Sequence, residues 1–256
     1  MSHDYQLAWN KVISFNGCLN LKASLFVLEG ASKSLETCFF HLESRGRTKA
    51  LAEEGVNFLP NLKTLVIELQ NEDNTWVDPI PFFQRLEVPA LTCLRLALNG
   101  AGFGYLLPSF KDLTHRSKFA LEILTLELPT EISEKALVKL LATLPTLTMF
   151  TLKSDINQRL LSNLTIAMLD PTSGRPITEC LPNLRRLNYT GCISFTPNKL
   201  ITVVKNRGKF AGVERIDNID IKYYNKDWAQ EDPNVMREFS RQLDAQEGFS
   251  TGVDIT

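Results

Sequence analysis

The stretch Leu59-Pro60-Asn61-Leu62-Lys63-Thr64-Leu65-Val66-Ile67 decides the fold, because it returns as Leu181-Pro182-Asn183-Leu184-Arg185-Arg186-Leu187-Asn188-Tyr189. Both read apolar-x-x-apolar-x-apolar behind a Leu-Pro pair. The phrase recurs as Leu91-x-x-Leu94-x-Leu96 after Val88-Pro89, as Leu121-x-x-Leu124-x-Leu126, and as Leu147-x-x-Phe150-x-Leu152 after Leu144-Pro145. Looser copies are Leu35-x-x-Cys38-x-Phe40 and Ile216-x-x-Ile219-x-Ile221. A frayed first copy ends in Ile13-Ser14-Phe15, with Asn10 in the leading place.

The eight copies start near positions 10, 35, 62, 91, 121, 147, 184 and 216, with gaps of 25, 27, 29, 30, 26, 37 and 32 residues. Those gaps sit at or just above the roughly 20–29-residue period of leucine-rich repeats, the longer ones implying loop insertions. In a strand, alternate side chains face opposite ways, so the last two apolar residues of the phrase point together into a core. Stacked copies make one parallel sheet whose apolar layer no single copy could bury alone. The expected fold is therefore an α/β leucine-rich-repeat solenoid, with a curved parallel sheet on the concave side and helices and loops on the convex side. One domain is expected over 1–256.

The segments between phrases return the chain. Leu137, Leu140, Leu141 and Leu144 fall at helical spacing behind Ser133, which is placed as an N-cap. Leu160, Leu161, Leu164 and Met168 predict a second helical face. Leu200, Ile201 and Val204 predict a third, ending near Gly208. Residues 169–176 and 70–81 are rich in turn formers and read as exposed loops. Val235, Met236, Phe239 and Leu243 share a helical face, so 227–256 reads as a capping helix and tail that shields the last repeat.

Period two also names the residues of the open face, those lying between core positions. Candidates for partner contact are Thr37, Phe39, His41, Val66, Glu68, Arg95, Ile123, Glu127, Met149, Lys153, Arg186, Asn188, Asp220 and Lys222. The set mixes apolar and aromatic anchors with both signs of charge, as a protein-binding surface does.

Composition narrows the function further. The 28 basic and 29 acidic side chains leave a formal net charge of −1, with no basic stripe to attract nucleic acid. No apolar run approaches the ~20 residues that span a bilayer, and the first residues lack a secretory signal pattern. Five cysteines without CxxC spacing read as reduced thiols, which points to the cytoplasm or nucleus. The sequons at Asn163 and Asn188 read as chance occurrences on that basis.

The three histidines, His3, His41 and His115, show no metal-ligand spacing. The glycines at 100, 102 and 104 lack the dinucleotide-loop spacing, and Pro108 is expected to interrupt a helix there. No catalytic, cofactor-binding or metal-binding set is expected, and the chain is expected to act as a non-enzymatic monomer. An enzyme would need an unrecognised site, such as His41 with a nearby cysteine.

Leu184-x-x-Leu187-x-Tyr189-x-x-Cys192 resembles the cysteine-containing subtype of leucine-rich repeat, and Ile13-Ser14-Phe15-Asn16-Gly17-Cys18 resembles its second half. With the opening around Trp9 and the block Cys180-Leu181-Pro182-Asn183-Leu184, the chain resembles fungal F-box proteins over residues 9–225. That resemblance implies repeats that hold a substrate protein for a ubiquitin ligase. It also implies an F-box that docks a Skp1-type adaptor. The first copy starts about ten residues from Met1, so adaptor docking is expected only with an F-box upstream. The alternative is a structural or regulatory repeat scaffold with no ubiquitin link.

Overall fold

The structure is a computed structural model. It describes residues 8–43, 55–70, 78–98, 103–128, 133–154, 161–195, 197–223, 241 and 250–255. Nine strands form one sheet: β1 (Ser14–Leu19), β2 (Thr37–Glu43), β3 (Thr64–Gln70), β4 (Cys93–Leu98), β5 (Ile123–Leu128), β6 (Met149–Ser154), β7 (Arg186–Gly191), β8 (Asn218–Tyr223) and β9 (Ser250–Ile255). They lie in sequence order and every neighbouring pair is parallel. The protein is thus an α/β stack of strand-and-return units.

The register is the same at each step. Thr37, Thr64, Cys93, Ile123, Met149, Arg186 and Asn218 stand side by side from β2 to β8, and each later row follows in phase. Two rows of core residues result. One runs Cys38, Leu65, Leu94, Leu124, Phe150, Leu187, Ile219; the next runs Phe40, Ile67, Leu96, Leu126, Leu152, Tyr189, Ile221. None of these is more than 2% exposed. The leading apolar residues Leu35, Leu62, Leu91, Leu121, Leu147, Leu184 and Ile216 are buried as well, where the chain turns into each strand.

A repeated backbone contact holds this phase. At each of the seven junctions from β1 to β8, one carbonyl accepts two consecutive N–H groups from the next unit. Ile13 O takes Glu36 N (2.8 Å) and Thr37 N (3.2 Å), and Glu36 O takes Lys63 N (2.8 Å) and Thr64 N (3.1 Å). The same pattern continues on Lys63, Thr92, Glu122, Thr148 and Arg185. A carbonyl has two lone pairs, so one acceptor satisfies both donors where the chain bends into the strand. Side chains add to the coupling. Asn61 Nδ2 donates to Lys33 O at 2.7 Å, Thr146 Oγ1 to Leu121 O at 2.8 Å and Asn183 Nδ2 to Pro145 O at 3.0 Å. Each is the residue after the phrase's proline.

Helices line the core side: α1 (Leu21–Gly30), α2 (Ile80–Gln84), α3 (Phe103–Ser117), α4 (Glu134–Leu141), α5 (Asn163–Leu169) and α6 (Pro197–Arg207). Ser133 caps α4, accepting from Ala136 N at 3.2 Å, and Leu137, Leu140, Leu141 and Leu144 are buried. Leu200, Ile201 and Val204 of α6 are buried too. No helix among the described residues is long and apolar enough to cross a membrane.

Several local expectations are corrected. The first copy is displaced by two residues: Phe15 aligns with Cys38 and Gly17 with Phe40, so its leading residue is Val12 rather than Asn10. Ile13 therefore aligns with Glu36 and is 61% exposed, while Cys18 lies on the open face opposite His41. The small Gly17 fits because a Cβ there would meet the Phe15 ring at 2.9 Å. Pro108 does not interrupt a helix but sits inside α3, in its early turns, while Leu106, Phe110 and Leu113 face the core. In α5 the buried residues are Thr165, Ile166, Met168 and Leu169; Leu164 is half-buried and Leu161 belongs to a two-residue ladder with Ile193. Ile80 and Pro81, read as loop, begin α2. Ser250–Ile255, read as tail, is the ninth strand. The predicted capping helix around Val235, Met236, Phe239 and Leu243 lies outside the described residues.

Arg207 is fully buried. It donates to the carbonyls of Leu169 (3.1 Å), Cys180 (2.9 Å), Leu181 (2.9 Å), Pro182 (3.3 Å) and Leu184 (3.3 Å). These carbonyls flank the longest insertion, where Leu181 adopts a left-handed φ of 49°. Burial pulls the Arg207 guanidinium down to about 10, and Cys180 and then Glu214 oppose that shift. Arg116 does a smaller version of this task, binding Phe83 O and Leu86 O. Replacing Arg207 takes the donor from the carbonyls of Leu169, Cys180 and Leu184, whereas those of Leu181 and Pro182 keep the N–H groups of Leu184 and Glu214; each buried carbonyl left unmet costs roughly 1–3 kcal/mol. The variant Arg207→Met is expected to lose about 3 kcal/mol or more in denaturant unfolding; a loss under about 1 kcal/mol would show that water replaces the guanidinium.

Candidate protein-binding face

Among the described residues the helices occupy one side of the sheet and no helix lies on the other. On that side the common register gathers the sequence-expected residues into three rows. Thr37, Ile123, Met149 and Arg186 stand in the first row, Phe39, Val66, Arg95, Asn188 and Asp220 in the second, and His41, Glu68, Glu127, Lys153 and Lys222 in the third. Most are half-buried or exposed. Val66 is the exception at 6% exposure, flanked in register by Phe39 and Arg95, so it supports its neighbours rather than offering surface.

The third row carries a feature that composition alone does not show. His41 Nδ1 lies 3.0 Å from Glu68 Oε2, although not aligned as a hydrogen bond. Arg95 Nη2 lies 3.1 Å from Glu68 Oε1 and 3.0 Å from Glu127 Oε1, and Lys153 Nζ lies 3.0 Å from the same Glu127 oxygen. Five side chains thus form a charge lane across β2 to β6. Arg95 comes from the second row and bridges two third-row carboxylates because the residue between them is Ala97. The methyl leaves room for the guanidinium and is itself only 7% exposed.

Beside this lane, Phe39, Cys93, Ile123 and Met149 run obliquely as half-buried, largely apolar side chains. Further along, Asn188 Nδ2 donates to Thr151 Oγ1 at 3.2 Å. Arg186 is exposed and makes no ion pair among the described residues. At the other end, Cys18 Sγ donates to Glu43 Oε1 at 2.7 Å. The lane was readable in principle: the seventh position of successive copies spells His41, Glu68, Ala97, Glu127, Lys153. What the sequence did not display is the reach of Arg95 from the neighbouring row.

Burial pushes the Cys93 thiol up, away from the thiolate that nucleophilic chemistry uses, and does the same to Cys38 and Cys180. Among the described residues no three His, Cys, Asp or Glu side chains gather around a possible metal position. His115 is exposed in the last turn of α3, far in sequence from His41. What the arrangement can do is present a mixed surface with its charges already matched. No protein-family model matches the chain, and no curated protein or solved structure does either.

The lane is partly solvated: Arg95 is 40% and both glutamates 25% exposed. Such pairs contribute little each, roughly 0.2–1 kcal/mol, and less in salt. Arg95→Ala is therefore expected to cost about 1 kcal/mol or less in low-salt unfolding, with the difference shrinking in high salt. A larger, salt-independent loss would mean the lane is a structural element rather than a presented surface.

Proposed function

We propose that the chain is a leucine-rich-repeat solenoid whose open, concave face holds a protein partner and carries out no catalysis. The reading extends to the substrate-holding repeats of an F-box-like ubiquitin-ligase adaptor. The observation that supports it most is the constant register, which puts Phe39, Ile123 and Met149 on the same face as a self-paired charge lane, where no helix lies among the described residues. Apolar and aromatic side chains supply most of the energy at protein interfaces, while matched charges set orientation and exclude wrong partners. Because Glu68 and Glu127 already have cationic neighbours, a partner can lie across the lane without burying an unpaired carboxylate, which would be costly.

Alanine at Phe39, Arg95 or Met149 is expected to leave the folded state intact and to weaken partner capture, typically by more than about 1 kcal/mol at a hot spot. The check is quantitative affinity capture with each variant beside the unaltered chain, with circular dichroism to confirm folding. Equal recovery of the same proteins by all variants would contradict the binding face. Co-purification of a Skp1-type adaptor with a version carrying the upstream coding sequence supports the ligase reading. A single dominant other partner supports the scaffold reading instead.

A further inference from the structure

From β2 to β7 the charges of the three open rows, and of the column just before the strands, are matched with two exceptions. Lys63 pairs with Glu36 at 2.8 Å and Arg185 with Glu214 at 3.0 Å, and the lane takes in Glu68, Arg95, Glu127 and Lys153. Of the carboxylates and cations in those positions, Glu122 and Arg186 alone have no ion pair among the described residues. Both are exposed, and both line one groove of about 590 Å³ at the start of β5, β6 and β7. The half-buried Ile123 and Met149 line it too, side by side with Arg186 in the first row, while Glu122 directly precedes β5. The Arg185–Glu214 pair completes a wall that is neutral overall.

Such a groove selects its occupant by charge. Covering Glu122 and Arg186 with an uncharged surface takes both ions out of water with nothing in exchange, which costs more than burying a matched pair. A polyanion meets the carboxylates of Glu122 and Glu214 as well as the arginines, so the groove has no net attraction for phosphate-rich molecules. Glu122 and Arg186 belong to strands two apart, ~10 Å at the usual strand spacing. An α-amino acid holds its ammonium and carboxylate on a single carbon and does not bridge that distance. An extended chain does: residues i, i+2 and i+4 share one side and cover ~13 Å, and long side chains take up the difference.

We infer that the groove at the start of β5, β6 and β7 binds an extended segment of a protein partner, one that carries a cation, an apolar side chain and a carboxylate at alternate positions. The carboxylate lies against Arg186, the cation against Glu122 and the apolar side chain over Met149 and Ile123. A guanidinium can donate two parallel N–H bonds to a carboxylate, which fixes the segment's direction as well as its place. This specifies the partner of the binding-face reading and rests on it. Phe39, three strands away on β2, takes no part in it.

Methyl-detected NMR of the full chain, reading the Met149 methyl group, tests it with two synthetic peptides. One is acetyl-Lys-Thr-Leu-Thr-Asp-amide; the other is its uncharged counterpart, acetyl-Gln-Thr-Leu-Thr-Asn-amide. The charged peptide is expected to shift the Met149 signal with a dissociation constant of about 1 mM or tighter, and the uncharged one to bind at least tenfold more weakly. Arg186→Glu and Glu122→Lys, both at exposed positions, are each expected to weaken the charged peptide by a similar factor. No shift with the charged peptide at ~10 mM, equal binding of the two peptides, or folded variants that bind as the parent does overturns the inference. An equal shift with inorganic polyphosphate overturns it as well. Capture by the Phe39→Ala variant reports separately on the face as a protein-binding surface, so a failure of the groove and a failure of that reading are told apart.

Discussion

Everything in this molecule depends on one carbonyl per unit accepting two N–H groups from the next. Seven successive junctions use it, from Ile13 to Arg185, with donor distances between 2.8 and 3.2 Å. The contact sets where each strand begins relative to its neighbour. Once that offset is constant, side-chain direction is constant too, because a slip of one residue would exchange core and open face throughout. The apolar rows, the open face and the charge lane are consequences of that shared phase. The helices, in contrast, vary in length from α2 to α3 and in start point, and the sheet does not require them to match.

The same logic explains which parts could be read from the chain. A column pattern is a property of aligned copies, so residues such as Leu65 and Leu124, or Glu68 and Glu127, declare their side as soon as the copies are superposed. The reading fails where the copy itself is weak. In the first unit Gly17 takes a place that elsewhere holds a large apolar residue, and Ile13 looks like a core residue two positions too early. Only pairing with β2 restores the phase. Pro108 misleads for another reason: it lies inside α3 and gives up the N–H that would reach the Gly104 carbonyl, but the buried Leu106, Phe110 and Leu113 anchor the helix against that loss. Arg207 gave no sequence signal at all. Its role emerges only when an insertion leaves carbonyls buried around it.

The candidate site was legible as a list and not as a surface. Val66 belongs to the list and contributes packing; Arg95 belongs to it and joins two carboxylates on different strands. Such internal matching lets the row carry both signs of charge with each carboxylate beside a cation. The exposed Arg186 and half-buried Met149 stand next to one another in the first row, a cation beside an apolar side chain.

The constant register is the central claim, and a disulfide is its most direct gauge, since a bridge needs Cα atoms within about 7 Å. Thr125 and Thr151 face each other across β5 and β6 on the open side. In the double variant Thr125→Cys with Thr151→Cys, mild oxidation should link the two introduced thiols, as mapped by mass spectrometry of the digest. The offset pair Thr125→Cys with Lys153→Cys should remain open. A bridge in the offset pair and none in the aligned pair would contradict the account.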